Sequence, residues 1–200
     1  MNFLEELKEQ RWDDHRYYHQ SRINQSLHFI SAMSFLSAYV LLFINPIFAV
    51  FLGWIVAMVT RQVGHFFFEP NSYDEINQVT NEHKERIKVG YNLRRKVVLL
   101  SIWGLSPIVL YFKPGLFGVF EPYTGVESYL YSLSIIWLFI GVGALLFRTI
   151  HLFFIYDVTA GLVWFTKILT DPFNDIKTYY KSPFYLLKGE LLDPMHHVKS

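Results

Sequence analysis

Residues 47–70, IFAVFLGWIVAMVTRQVGHFFFEP, join an apolar run to polar residues at a regular spacing. Residues 48–58 carry no charge and are typical of a membrane helix. Arg61, His65 and Glu69 follow at four-residue intervals, which places them on one face of a helix. Because ionisable groups are costly at membrane depth, this stripe predicts partners inside a helix bundle or a bound ion. The alternative is a helix end at the headgroups, where Arg61 snorkels and Glu69 is hydrated.

The composition is that of a membrane protein. Of 200 residues, 52% are hydrophobic, 18% are charged and 19 are Phe. This is too apolar for an ordinary soluble domain, and it predicts a single integral membrane domain over residues 1–200. The sequence has no basic patch interleaved with aromatic residues, so we expect no nucleic-acid partner. Cys is absent, which leaves His and carboxylates as the strong metal ligands.

Hydropathy and turn signals predict an all-α membrane bundle of about four transmembrane helices. The predicted spans are residues 27–43, 47–68, 97–112 and 129–147. Asn45 and Pro46 leave only a tight turn between the first two spans, so these should form an antiparallel hairpin. After Arg148 the apolar pattern continues over residues 149–169, which we interpret as an amphipathic, interfacial or re-entrant helix.

The placement of basic residues predicts the orientation. Lys and Arg are concentrated in residues 1–26, 84–96 and 170–200, whereas the turn at Asn45 has none and the loop 113–128 has one. The positive-inside rule then places both termini and the middle loop in the cytoplasm, and residues 1–26 and 170–200 become a cytosolic approach and tail. This requires an even number of spans. The alternative, a fifth span over residues 149–169, would put the Lys-bearing tail outside.

Four histidines reach the same membrane level in this topology. His19 and His28 precede or open the first span, His65 closes the second and His151 follows the fourth, all on the cytoplasmic side. Neutral imidazole is a common ligand of iron, zinc and copper, so the set predicts a metal site. Any one of these histidines is also explained by contact with water or lipid phosphate. Asn24, four residues before His28, is expected to orient that imidazole.

The polar residues around the first two spans resemble the motifs of a known family, the membrane 2-hydroxy fatty acid dioxygenases typified by the yeast 2-hydroxy-palmitate dioxygenase. That family has a Tyr-His, Asn, His motif opening the first span and a Gly-His motif closing the second. The resemblance covers residues 17–70 and is carried by Tyr18-His19, Asn24, His28, Gly64-His65 and Glu69. It implies an enzyme of the endoplasmic reticulum or the bacterial inner membrane. Such an enzyme uses Fe(II) and O2 to shorten a 2-hydroxy fatty acid by one carbon, as in fatty acid alpha-oxidation.

The resemblance also implies roles for individual residues. His19, His28 and His65 become metal ligands, with Asn24 and Glu69 as their supports; His151 is added from the topology alone. Arg61 or Arg148 is a candidate to pair with the substrate carboxylate. The acyl chain is expected among Phe66, Phe67, Phe68 and the apolar spans, although packing against lipid or the core explains these Phe equally.

Two other functions are compatible with the sequence. His15 and His19 form a His-x-x-x-His pattern and His196-His197 resemble a further histidine box, as in di-iron fatty-acyl hydroxylases and desaturases. The other is a non-catalytic membrane scaffold whose polar residues only brace the bundle, and it predicts no stoichiometric metal. Asp157, within the apolar stretch, is expected to make a helix–helix hydrogen bond or a catalytic contact.

Overall fold

The computed structural model describes residues 2–69 and 72–195, and within these ranges the chain forms helices and no β-sheet. The predicted all-α bundle is confirmed. The helices of the described residues are α1 Phe3–Tyr18, α2 Arg22–Leu41, α3 Pro46–Phe67, α4 Asn81–Ile87, α5 Leu93–Phe112, α6 Val126–Ile155, α7 Val158–Tyr179 and α8 Ser182–Leu187. A single 3-10 turn, Leu116–Gly118, lies between α5 and α6.

Helix α2 is the central element and packs against α3, α7 and α8. Ser21 caps its N-terminus, with the Ser21 hydroxyl accepting from the Asn24 amide at 3.4 Å. The first half of the helix is polar yet buried, which requires polar partners from the surrounding helices. The buried polar residues of this half are Arg22, Asn24, Gln25, Ser26, His28 and Ser31.

Three of the described helices, α3, α5 and α6, are long and apolar enough to cross a membrane. They correspond to the predicted spans 47–68, 97–112 and 129–147, the first of which extends one residue past α3. The first predicted span, residues 27–43, lies mostly in α2, which ends at Leu41 and is not among the three because its buried N-terminal half is polar. The expected tight turn between α2 and α3 is present, and Asn45 caps α3 by accepting from the Phe48 amide at 3.1 Å.

The apolar stretch 149–169 is divided between two helices, which corrects the prediction of a single helix there. Helix α6 continues to Ile155 and α7 begins at Val158. Asp157 is the N-cap of α7, and its side chain accepts a hydrogen bond from the Ala160 amide at 2.7 Å. The hydropathy pattern hides this break because α7 buries an apolar face against α2 and α6.

Three Trp residues join the apolar helices. The Trp54 ring of α3 stacks on Trp103 of α5, with ring centroids 5.3 Å apart, and its indole N–H donates to the Trp137 carbonyl of α6 at 2.9 Å. Trp137 donates in turn to the Ser106 hydroxyl at 2.9 Å. Residues Leu52–Met58 are π-helical, so Trp54 projects from a locally widened turn of α3. Trp54 of this cluster lines the cavity described below.

Candidate metal centre

His19, His28 and His65 converge on one point of the bundle, as the sequence predicts. One ring nitrogen from each lies within 4.8 Å of the other two. The ring centroids are 4.1 Å apart for His19 and His28, 4.9 Å for His28 and His65, and 5.4 Å for His19 and His65. These separations suit three ligands of one metal ion.

The convergence follows from how three chain segments meet. His19 ends α1 as its C-cap, His28 lies near the start of α2, and His65 lies in the last turn of α3. Because α2 and α3 form a hairpin, the end of α3 returns beside the start of α2. Gly64 permits this approach, since it leaves room for the Asn24 side chain where any other residue would place a Cβ. Asn24 is held there by donating to the Tyr18 carbonyl at 2.8 Å.

Each imidazole turns its Nδ1 toward a polar side chain outside the cluster. The distances are 3.0 Å from His19 to the Tyr179 hydroxyl and 2.8 Å from His65 to Glu69 Oε2, whereas His28 Nδ1 lies 3.5 Å from Asp175 Oδ2 and makes no hydrogen bond within the described residues. An outer partner on one ring nitrogen sets the tautomer and the orientation of a metal-binding imidazole. The arrangement therefore leaves the Nε2 atoms of His19 and His65, and either ring nitrogen of His28, to face a metal ion.

Two of those Nε2 atoms have no other partner. Those of His19 and His28 are buried and make no hydrogen bond within the described part of the chain. A buried polar atom without a partner is costly, and a bound cation supplies the missing interaction. Burial lowers the pKa of His19 well below its usual value, and the neighbouring His28 acts in the same direction, so the ring is neutral and able to ligate. The donor set fits iron or zinc.

Tyr179 links His19 to a further histidine. Its hydroxyl lies 3.0 Å from His19 Nδ1 and 3.2 Å from His15 Nδ1. Burial raises the pKa of Tyr179 well above its usual value, with the nearby Asp175 carboxylate acting in the same direction, so the hydroxyl stays protonated. It can then accept from the His19 Nδ1–H and donate to His15. The structure thus places His15 against Tyr179 beside the trio.

Arg61 and Glu69, both predicted site residues, flank the trio through ion pairs. Arg61 lies 3.2 Å from Asp175 and 3.9 Å from Asp171. Glu69 bonds both His65, at 2.8 Å, and Lys88, at 2.9 Å. Burial raises the pKa of Asp175, while the Arg61 guanidinium opposes that rise. Arg61 therefore pairs with the carboxylate that lies 3.5 Å from His28.

His151 and Arg148 lie apart from the trio, which corrects the prediction that His151 is a fourth ligand. His151 Nδ1 contacts the Arg148 guanidinium at 2.7 Å, and its ring stacks on Phe147. Arg148 is buried and also donates to the Val89 and Gly90 carbonyls, so it anchors the segment after α4. His151 was predicted at the same membrane depth as the trio, but equal depth does not place it beside the trio. Its lateral position depends on how α6 packs.

A cavity of about 260 Å³ opens beside the trio and is lined by His65 and Arg61. Its apolar part lies between the membrane helices and includes Phe35, Trp54, Met58, Leu99, Leu145 and Trp164. The predicted acyl site at Phe66, Phe67 and Phe68 is not supported, since these Phe are not among its lining residues and Phe67 is exposed. The lining thus combines apolar and charged side chains, as a site for a long-chain acid requires.

Helix α7 contributes residues to the site that the sequence did not predict. Asp171, Asp175 and Tyr179 recur at four-residue intervals, as do Arg61, His65 and Glu69, so the sequence contains a matching polar stripe. The prediction of a cytosolic tail over residues 170–200 excludes this stripe from the site. The predicted His196-His197 box lies outside the described residues.

Comparison with known proteins agrees with the motif analysis over the first part of the chain. Residues 6–77 match the family model described as 2-hydroxy-palmitic acid dioxygenase Mpo1-like. This confirms the resemblance seen in the sequence, and the matched segment contains the complete His trio with Asn24 and Glu69. Neither a curated protein nor a solved structure matches the chain.

Proposed function

We propose that this protein is an Fe(II)-dependent membrane dioxygenase that shortens a 2-hydroxy fatty acid by one carbon. The observation that carries the proposal is the trio of converging imidazoles, in which His19 and His65 bond outer partners through Nδ1 while His19 Nε2 and both ring nitrogens of His28 are buried without a hydrogen bond. The match of residues 6–77 to the dioxygenase family supports the same activity. The proposal also includes an integral membrane location for the protein, with both termini in the cytoplasm.

The residues of the site would act mainly by binding the metal ion and orienting its ligands. His19 and His65 would bind iron through Nε2 and His28 through one of its two ring nitrogens, and when bound the ferrous ion would bring a 2-hydroxy carboxylate and O2 together for carbon–carbon cleavage. Glu69 accepts the Nδ1 proton of His65 and keeps that ring in position. Tyr179 does the same for His19. The apolar helices exclude water from the acyl part of the cavity.

The proposed reaction balances without a further reductant. A 2-hydroxy acid and O2 give the acid shortened by one carbon, CO2 and water. The carbon lost is the original carboxyl carbon, and the carbon that carried the hydroxyl becomes the new carboxyl. A substrate labelled with 13C at its carboxyl should therefore release labelled CO2 and leave an unlabelled product.

The test is anaerobic purification in detergent followed by metal analysis and the labelled assay. Wild type should contain about one iron per chain and release 13CO2 only with O2. His28→Ala and His65→Ala should lose both iron and activity, because each variant removes one of the three proposed metal ligands. His151→Ala and His83→Ala are the matched controls; His83 contacts Arg86 and His151 contacts Arg148. Both controls should keep their iron.

Two other results of the metal analysis would favour the alternative functions, a di-iron hydroxylase or a non-catalytic scaffold. About two irons per chain would favour a di-iron hydroxylase, although the described residues bring only three histidines together as ligands. Absence of bound metal in wild type under several loading conditions would contradict the enzyme and favour a scaffold.

A further inference from the structure

The polar part of the cavity lining has more cations than carboxylates. Four cations line the cavity together with His65, and they are Arg61, Lys88, Lys96 and Lys167; the carboxylates of Asp13 and Asp14 line it as well. A carboxylate entering the cavity would meet several positive charges. Which of them is available to bind it depends on the partners that each already has.

Three of these cations are already paired with carboxylates of the protein. Lys88 contacts Glu69 at 2.9 Å and Glu85 at 3.2 Å. Arg61 pairs with Asp175 and Asp171, and Lys167 pairs with Asp14 and, at 2.8 Å, with Asp171. Binding a substrate carboxylate to any of them would disturb an ion pair that is already buried, which is costly.

Lys96 differs from the other three. Its ammonium group makes no hydrogen bond or ion pair with any residue in the ranges 2–69 and 72–195, although the side chain is half-buried and lines the cavity. Lys96 and His65 line the same cavity. Among the described residues, the unpaired cation of the cavity thus shares it with a member of the His trio.

The position of Lys96 in its helix argues against a purely structural role. It lies in the first turn of α5, after the N-cap Asn92, where a positive charge is unfavourable because the helix dipole is itself positive there. The positive-inside rule explains Arg94 and Arg95, which are exposed. It does not explain a neighbouring Lys turned into a cavity. Together, the helix end and Lys96 favour an anion at this place.

We propose that Lys96 binds the carboxylate of the fatty-acid substrate, the role that the sequence assigned to Arg61 or Arg148. Its ammonium group donates to the carboxylate, and the acyl chain extends along the apolar part of the cavity. Leu99, three residues later on the same face of α5, lines that part. This inference rests on the proposed function for the identity of the substrate. It adds that the site selects a free acid over an ester.

Binding without turnover tests the role of Lys96. Full-length protein, purified with its metal, is titrated anaerobically with a long-chain 2-hydroxy fatty acid and with its methyl ester, and Trp fluorescence is followed because Trp54 and Trp164 line the cavity. Lys96→Gln should bind the acid roughly ten- to hundredfold more weakly, the range for losing a charged hydrogen bond, and the ester as wild type does. Lys96→Arg should restore much of the affinity. Arg95→Gln, one residue away and exposed, is the matched control and should bind both ligands normally.

The outcomes separate this inference from the proposed function. Iron content and shortening of the acid by wild type decide the function. The acid-over-ester preference decides the inference, whether or not turnover is seen. Equal affinity of wild type and Lys96→Gln for the acid, at equal iron content, would overturn the role of Lys96; equal loss of affinity for acid and ester would do so too, because it would indicate a damaged cavity.

Discussion

The carboxamide oxygen of Asn24 lies against Gly64, so close that a Cβ at Gly64 would be 2.1 Å from it. The same Cβ would be 3.5 Å from His28 Cδ2. The Gly-His pair of the sequence motif therefore has two separate tasks. His65 supplies a candidate ligand, and Gly64 admits the side chain that packs beside His28.

Gly64→Ala should impair metal binding. The added methyl group must displace Asn24, which is buried and tied to the Tyr18 carbonyl, and this would shift His28. We expect iron affinity to fall by about ten- to hundredfold, the usual effect of disturbing residues that orient metal ligands. Iron per chain after dialysis against a graded chelator measures this. Gly104→Ala, with nothing within 4 Å of its added Cβ, is the control and should retain iron.

Glu69→Gln should weaken the metal site through His65. The carboxylate that accepts from His65 Nδ1 is replaced by an amide that is a poorer acceptor, so we expect about ten- to hundredfold lower iron affinity. Glu85→Gln is a close control, because Glu85 also binds Lys88 but not His65. The same chelator titration compares them. Equal iron retention in the two variants would show that the Glu69–His65 contact does not support the metal.

Gly161→Ala should destabilise the fold without a specific effect on metal. A Cβ at Gly161 would lie 2.4 Å from the Phe153 ring and 2.8 Å from the Thr149 carbonyl, where α7 crosses α6. Overpacking of this kind costs about 1–3 kcal/mol, so the melting temperature in detergent should fall. Gly143→Ala is the control, since its Cβ meets no atom within 4 Å. An unchanged melting temperature for Gly161→Ala would mean that α6 and α7 pack less closely at Gly161 than the structure shows.

Asp193 should make stability depend on acid pH. It accepts from Arg22 at 3.0 Å and from Gln25 at 2.9 Å. Burial alone would raise the pKa of Asp193, but the hydrogen bonds from Gln25 and the Met195 amide, with the Arg22 charge, hold it below its ordinary value of 3.8. Because the folded pKa is the lower one, the stabilisation is present above that ordinary value and is lost as the pH falls through the folded pKa.

The variant Asp193→Asn measures this contribution. At pH 7 it should be less stable than wild type by about 1.5–3 kcal/mol, the range for a hydrogen bond to a charged group, and the difference should shrink as the pH falls below 3.8. Thermal unfolding in detergent across this range is the measurement. Glu190→Gln, exposed in the same segment, should follow wild type at every pH. A constant difference for Asp193→Asn would contradict the pKa assignment.

The helices, the turn between α2 and α3 and the motif residues could be predicted from the sequence, because each depends on a local pattern. Hydropathy predicted the helices that became α3, α5 and α6, because an apolar stretch of sufficient length must satisfy its backbone internally. The turn at Asn45 and Pro46 predicted the hairpin that returns His65 to the start of α2. His19, His28 and His65, with Asn24 and Glu69 beside them, followed from motif spacing and from the family resemblance.

The packing of the helices determines which residues from distant segments of the chain lie close together. His151 was expected beside the trio on the basis of depth, and the packing of α6 puts it against Arg148 instead. The hydrogen bond between His19 and Tyr179 and the approach of Asp175 to His28 both required α7 to dock on α2. Hydropathy reports depth and periodicity along one helix. The angular position of that helix around the bundle depends on side-chain packing, which has no local signature in the sequence.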